Sequence, residues 1–396
     1  PHTRATGSSA AVPVPRAAEP PDAEALLVAA AGSQGVATFL SGHASATDAL
    51  DSLSRPLVLA QLVAAGLFDA PVRRDLLGQR ISPSLAPWLD HTVTVLLSHG
   101  ELVREGDLVV PGKSAPGVEQ AWHNWRTWKD ARAHDPELAA RTGLTERMIE
   151  ALPAILSGRT KATAAMFPGG SFALVEPVYR GNATADYFND VTAAAVAAEV
   201  EARGDGVRLL EIGAGTGSTS ERVFAALAGR DLAEYRYTDI SKAFLIDAER
   251  RFADRVPYVL FSAFDVEREP GAQGLATGGY DIVVANNVLH ATEDIVRTVR
   301  HARALLRPGG VLVLNELARN DWWSHLTFGL LDGWWRFTDG RRIRGGPALS
   351  PDTWRDVLRE CGFDTVEPLA APAHDLGQQV LLARVGSPVP RRCAPP

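Results

Sequence analysis

Residues 207–220 constrain the fold more than any other stretch. They read Val-Arg-Leu-Leu-Glu-Ile-Gly-Ala-Gly-Thr-Gly-Ser-Thr-Ser. An apolar strand runs straight into a glycine-rich turn. Gly213, Gly215 and Gly217 carry no Cβ, so the backbone there can bend sharply and lie against a ligand. The residues that follow predict a helix over 221–227, with Ser218 or Ser220 as its cap. Strand, glycine turn and helix in this order open a doubly wound α/β sheet, which binds its ligand at the carboxyl ends of the strands.

The spacing narrows the ligand. A dinucleotide fingerprint reads Gly-x-Gly-x-x-Gly and sets a pyrophosphate on the helix N-terminus. Here the third glycine comes one residue early and Glu211 precedes the first. An acid at that point suits a cationic ligand better than a diphosphate. The pattern Glu-x-Gly-x-Gly-x-Gly resembles the first motif of S-adenosylmethionine (SAM) methyltransferases. An ordinary tight turn is the alternative, and a nicotinamide reductase is disfavoured by the same spacing.

Downstream, elements alternate at α/β spacing. Strands are expected over 234–238, 257–262, 280–285 and 311–315, and helices over 242–252, 292–306 and 354–361. The aromatic-rich segment 322–337 reads as helical, and 363–368 with 379–385 as a closing antiparallel pair. Residues 186–203 form a helix that leads into the sheet.

Upstream the chain is mostly helical by pattern. Helices are expected over 55–66 and 88–100, and a hairpin over 101–110 turning at Gly106-Asp107. Helices followed by a hairpin suggest a winged-helix unit. Nothing basic marks a recognition helix, so packing or dimerisation is expected there rather than DNA binding. Trp122, Trp125 and Trp128 fall at three-residue spacing and read as helix core, with a substrate channel as the alternative.

Composition bounds the partners. A length of 396 residues suits two domains, and a formal net charge of −7 argues against nucleic-acid binding. Cys361 and Cys393 are the only cysteines, which excludes a disulfide framework and suggests a reducing, cytoplasmic setting. No apolar run reaches the roughly 18 residues a membrane helix needs, and no secretory signal is visible. The chain opens on Pro1, and both ends are rich in proline, so a piece of a longer polypeptide is expected. The resulting division is a linker over 1–22, a helical domain over 23–178, an α/β core over 179–386 and a linker over 387–396.

The candidate chemistry sits at strand ends. Asp239 ends the second strand of the core, where an acid can accept both ribose hydroxyls. The alternative is a cap for the next helix, a role for which Ser241 competes. Asp265 follows the third strand and can accept from an adenine amino group. Ile240, Val266 and Asn286 complete the expected cofactor set with Glu211, Gly213, Gly215 and Gly217. The fourth strand runs out into Asn286-Asn-Val-Leu-His290 and the fifth into Asn315-Glu316. Neighbouring strand ends lie about 5 Å apart, so His290 and Glu316 are expected to face one crevice. Glu316 can fix one imidazole nitrogen and leave the other as a base. A satisfied, half-buried histidine is the alternative. A metal held by His290, Glu316 and His325 is disfavoured, because no ligand spacing supports it. Tyr179 can reach over the ligand or simply pack.

Five stretches together resemble the methyltransferase domains of modular polyketide synthases. They are Leu-Glu-Ile-Gly-Ala-Gly-Thr-Gly, Tyr237-Thr-Asp-Ile-Ser-Lys-Ala-Phe244, Asn286-Asn-Val-Leu-His-Ala-Thr292, Leu312-Val-Leu-Asn-Glu-Leu317 and Leu326-Thr-Phe-Gly-Leu-Leu-Asp-Gly-Trp-Trp335. Phe167-Pro-Gly-Gly-Ser and Tyr187-Phe-Asn189 are similar to that family too, especially to the carbon methyltransferases of assembly lines served by a separate acyltransferase. The resemblance implies a seven-stranded, Rossmann-like class I methyltransferase core under an N-terminal helical lid. It implies SAM as cofactor and methylation of the α-carbon of a β-ketoacyl thioester on an acyl carrier protein, among neighbouring synthase domains. His290 then matches the base and Glu316 its orienting partner, while Tyr179 and Asn287 shape the substrate pocket and can hydrogen-bond the enolate oxygen. Oxygen methylation of a β-hydroxyl or enol is the nearest rival, and a non-catalytic SAM-binding scaffold is a rival of another class. Arg341-Arg-Ile-Arg344 is either a solvated loop or a contact for the acidic carrier protein.

Overall fold

The computed structural model describes residues 18–113 and 115–386; residues 1–17 of the linker expected over 1–22, and the linker expected over 387–396, lie outside the described residues. The chain begins with helices α1 (Ala23–Ala31) and α2 (Val36–Ala64). Strand β1 (Val72–Arg73), helices α3 (Arg74–Leu77) and α4 (Ala86–Ser98), and strands β2 (Leu102–Glu105) and β3 (Leu108–Pro111) follow. The three strands form an antiparallel sheet in the order β1-β3-β2. This small sheet, with helices before it, lies where the hairpin was expected. Helix α4 turns Trp88, Leu89, Val93 and Leu96 into the core and carries no lysine or arginine. Helix α5 (Val118–Asp130) buries Trp122 and Trp125, as a core stripe does. Helices α6 (Pro136–Leu156), α7 (Ala162–Met166) and α8 (Glu176–Tyr179) complete the N-terminal half.

Helix α9 (Ala183–Arg203), capped by the Asn182 side chain on Ala185 N, leads into the second half. There β4 (Val207–Ile212), α10 (Ser218–Ala226), β5 (Leu232–Asp239), α11 (Lys242–Phe252) and β6 (Val259–Ala263) build one side of a sheet. The chain then returns through β7 (Tyr280–Asn286), α12 (Ile295–Leu305) and β8 (Leu306–Leu317). Helices α13 (Trp322–Leu326) and α14 (Pro351–Glu360) and the strands β9 (Thr365–Pro368) and β10 (Gln378–Arg384) end the described chain.

The large sheet has seven strands in the order β6-β5-β4-β7-β8-β10-β9. The ladders from β6 to β8 are parallel, and β10 is antiparallel to both β8 and β9. Parallel strands are covered on both faces and so read as continuous apolar runs. Period-two alternation sends Leu209, Ile282 and Val284 to one apolar layer and Leu210, Val283 and Ala285 to the other. Strand order reverses between β4 and β7, and this switch point opens a crevice at the carboxyl ends of the strands.

Two apolar groupings cross the middle of the chain. Leu27 and Phe39 of α1 and α2 pack with Tyr187 and Phe188 of α9 in the layer of the large sheet. Trp322, Trp323, Leu326 and Leu330, from beyond β8, sit instead in the core of the N-terminal half. The two halves are thus stitched by exchanged segments. Trp322 Nε1 donates to Ser54 Oγ (3.0 Å), and Trp88 Nε1 to the His325 carbonyl (2.9 Å).

Some local expectations need correction. Helix α10 starts at Ser218 with Gly217 as its cap, and neither Ser218 nor Ser220 caps it. Ser218 pairs with Thr216, and Ser220 donates to Glu211. The segment 322–337 is not one helix: α13 ends at Leu326, a single tight turn covers Phe328–Leu330, and the rest is irregular. Within the Arg341–Arg344 stretch, Arg341 and Arg344 are exposed but Arg342 is not. The Arg342 side chain is buried, paired with Asp339, and donates to the carbonyls of His290 (2.7 Å), Thr292 (3.0 Å) and Pro347 (3.0 Å). No single helix among the described residues is long and apolar enough to cross a membrane.

Candidate active site

A cleft of about 600 Å³ lies over the carboxyl ends of β4, β5, β7 and β8, roofed by α6, α7, α8 and the segment after β8. Its floor is the glycine turn. Gly213, Gly215 and Gly217 all adopt positive φ, at 61°, 57° and 73°. A Cβ on Gly213 would collide with the Val288 side chain, and one on Gly217 would lie 2.9 Å from Phe252. The bare backbone is therefore required by both conformation and space, and it leaves a cradle open to the cleft.

The acids around this cradle are not equivalent. Asp239 ends β5, and its two carboxylate oxygens accept from Gly215 N (2.9 Å) and Ser241 N (2.7 Å). It does not cap α11, and neither does the Ser241 side chain. Burial holds its pKa above the usual carboxylate range, although these backbone N–H groups pull the other way. Asp265 lines the cleft two residues beyond β6, with Ile240 and Val266 beside it. Ile240 is 70% exposed, an apolar side chain at the rim of an open cleft. Glu211 is placed differently. One of its oxygens accepts from both Ser220 Oγ and Tyr235 Oη (2.6 Å each), behind the turn. Burial pushes its pKa up to about 7.

Strands β7 and β8 run parallel with Asn286 opposite Asn315. This register brings their outlets together. His290 sits on a tight turn, Leu289–Ala291, and Glu316 one residue beyond Asn315. His290 Nδ1 is hydrogen-bonded to Glu316 Oε2. The other oxygen, Oε1, accepts from the backbone N–H of Leu289 (2.7 Å) and Val288 (3.1 Å). Glu316 is fully buried, and His290 is 6% exposed at the cleft wall. A carboxylate that accepts from backbone N–H groups and the ring sets Nδ1 as the N–H, so Nε2 carries the free lone pair. Nε2 has no hydrogen-bond partner among the described residues.

Tyr179, at the end of α8, lines the same cleft. Burial and then the Glu316 charge push its phenol well above its usual pKa, so it is a proton-bearing hydroxyl there. Asn287 is the one non-glycine described residue with positive φ (51°). Its amide nitrogen donates to Gln378 Oε1 (3.1 Å) and Asn286 Oδ1 (3.2 Å). His325 lies elsewhere. It stacks between Trp88 and Trp322, bonds Thr92 through Nε2 (2.7 Å), and is held neutral by burial. Trp122, Trp125 and Trp128 are absent from the described lining of the cleft.

Other lining residues carry no motif of their own. Asn189 of α9 accepts from Thr219 Oγ1 (2.7 Å) and lies against Asn286. Phe244, Phe328, Trp334 and Gln378 complete the walls. Asn189 stands in a familiar stretch of sequence but with no role assigned to it, because a residue of α9 is adjacent to β7 only in three dimensions.

Residues 210–312 match the family model of a methyltransferase domain. Polyketide synthase PksM of Bacillus subtilis (strain 168) is 42% identical over 345 residues, which cover 84% of this chain and 8% of that synthase. The crystal structure of the DszA carbon methyltransferase superposes with a TM-score of 0.81 at 33% identity, over 93% of this chain and 97% of that one. The chain belongs to the methyltransferase domains of polyketide synthases. This methyltransferase spans only 6 to 17% of the length of four curated synthases that it matches. The trans-methyltransferase CalH, solved in complex with SAH, is a further likeness, with a TM-score of 0.65 at 27% identity over 86% of this chain and 92% of that one. The expected α/β fold, the enzyme class and SAM as the methyl donor of the domain are thereby borne out.

Proposed function

We propose that the domain methylates the α-carbon of a β-ketoacyl thioester carried on the phosphopantetheine arm of an acyl carrier protein, with His290 as the base and Glu316 as its orienting partner. One observation carries the reading: a histidine locked at Nδ1 by a buried carboxylate, with Nε2 open to the cleft that holds the glycine cradle.

The cradle fits the cofactor. The turn at Gly213 and Gly215 and the side chain of Asn286 would hold its methionine end, with Glu211 behind them. Asp239 would accept from the ribose, and Ile240, Asp265 and Val266 would surround the adenine. SAM, when bound, supplies an electrophilic methyl that needs no further activation.

The chain's own residues supply a nucleophile and alignment. A carbon between a ketone and a thioester is acidic enough for a positioned imidazole. His290 Nε2 takes the α-proton, and Glu316 stabilises the imidazolium formed. The Tyr179 hydroxyl can donate to the developing enolate oxygen. The apolar roof of Phe328, Leu331 and Trp334 keeps water from the enolate. The imidazolium releases its proton to solvent when the product leaves.

The test is turnover of a β-ketoacyl carrier protein with SAM carrying a carbon-13 methyl group, read by NMR of the released product. A labelled methyl bonded to the α-carbon supports carbon methylation. A labelled methoxy group supports oxygen methylation and overturns the assignment.

A further inference from the structure

Four amide side chains in the cleft wall, joined by Thr219, form a relay whose direction is set at one end. The Tyr179 backbone carbonyl can only accept, so the atom of Asn189 facing it at 2.8 Å is the amide nitrogen. Asn189 Oδ1 then points the other way, toward Thr219 Oγ1 and Asn286 (3.1 Å). Facing an oxygen, Asn286 must present Nδ2, which also donates to Thr219 Oγ1. Its Oδ1 is left facing Asn287 at 3.2 Å, so Asn287 must in turn present Nδ2. The second hydrogen on that nitrogen goes to Gln378 Oε1. Both amide hydrogens of Asn287 are then used, and its Oδ1 is buried without a partner.

A buried acceptor without a donor costs free energy unless something bound supplies one. Asn287 borders the cleft between the glycine turn and His290: the next residue, Val288, packs on Gly213. The backbone at Asn287 is also held in the left-handed region, a strained state that persists where surroundings impose it.

We propose that Asn189 is a positioning residue that fixes the direction of the Asn286–Asn287 amide pair, so that Asn287 presents an oxygen to the cleft as acceptor for an N–H donor of a bound ligand. The relay leaves Asn287 unable to donate to an enolate oxygen, which assigns that task to Tyr179. Two ligands carry such a donor: the α-ammonium of the cofactor and the amide N–H of the pantetheine arm. The inference rests on the functional reading above, since it takes the cleft to hold those two molecules.

The test is calorimetric titration of the full domain with S-adenosylhomocysteine (SAH) and with its deaminated analogue, beside steady-state kinetics on a pantetheine thioester. The variants are Asn189→Leu, Asn287→Leu and Asn287→Asp. If the ammonium is the donor, the wild type prefers SAH to the deaminated analogue by about 10-fold or more. Asn189→Leu and Asn287→Leu then lose that preference, and Asn287→Asp, which keeps an acceptor, retains it. If the arm is the donor, SAH binding stays level while KM for the thioester rises about 10-fold in both leucine variants with kcat little changed. Unchanged SAH preference together with unchanged KM in both leucine variants overturns the inference and leaves the functional reading standing. So does an Asn287→Asp variant that binds both ligands no better than Asn287→Leu, a comparison that holds even if Asn189→Leu fails to fold. Failure of the wild type to bind SAH at all overturns the functional reading and this inference with it.

Discussion

Glu316 holds His290 at two places: one carboxylate oxygen takes the ring at Nδ1, and the other takes the N–H groups of Val288 and Leu289 that lead into it. Backbone and imidazole are thus fixed by one buried acid. Glu316→Gln offers a single acceptor where the site uses two. The amide must then turn its N–H either toward the backbone donors, which repel it and loosen the turn, or toward the ring, which forces the wrong imidazole tautomer. Turnover is expected to fall about 10²-fold or more, with SAH affinity changed little. Single-turnover kinetics beside calorimetry check this, and an equal loss in both would point to a collapsed site instead.

Gly213 is the tightest point of the cradle. Alanine there meets Val288 and must hold a φ of 61°. Gly213→Ala is expected to lose about 1–3 kcal/mol of stability and most of its SAH affinity. Thermal melts with and without SAH read both, and a variant that SAH still stabilises as well as it does the wild type contradicts the cradle.

Arg342 braces the His290 turn rather than facing a partner. Removing one member of a buried, hydrogen-bonded ion pair costs about 3–5 kcal/mol. Arg342→Gln should therefore lower turnover on carrier-bound substrate and on a small thioester alike. Arg341, which pairs with Glu360 at the surface, should tolerate the same change. Loss confined to the carrier-bound substrate would restore the docking role for this stretch.

Asp51 of α2 has its pKa pushed up to about 7, by burial first and then by the Asp321 charge, while Arg55 and Arg141 oppose the shift. A carboxyl with a raised folded pKa contributes stability that is fully present below its unfolded pKa, near 4, and is lost as pH rises through about 7. Asp51→Asn is expected to raise Tm relative to the wild type at pH 8 and to leave it nearly unchanged or lower at pH 4. Parallel Tm curves for the two proteins over that range would contradict the shift.

Periodicity and punctuation made the second half legible. Helix α11 falls on its expected residues, and β5, β7 and the β9–β10 pair within a few residues of theirs, while β8 starts earlier than expected and runs through Pro308-Gly309-Gly310. Apolar strands that end at Asp239 and Asn286 admit few alternatives. The register of parallel strands also made the meeting of His290 and Glu316 readable, because adjacent strand tips lie one ladder spacing apart. The stretch 322–337 was misread for an equally physical reason. Its aromatic residues are apolar because they dock into the N-terminal half, not because they line one face of a long helix.

By itself, then, the sequence determined the α/β core, the glycine turn and the acids at strand ends, since these depend on neighbours within one element or on adjacent strands. Tertiary structure alone decided that α1 packs on α9, that the Arg342 side chain is buried, that the Glu211 carboxylate is tied to Ser220 and Tyr235, and that Asn189 lies beside Asn286. Those contacts join distant residues, such as Arg342 with Thr292, 50 positions apart, and Tyr187 with Ala23, 164 apart, or rest on which side of a strand another segment covers. No local pattern encodes such distances, because they are set by how the layers close over one another.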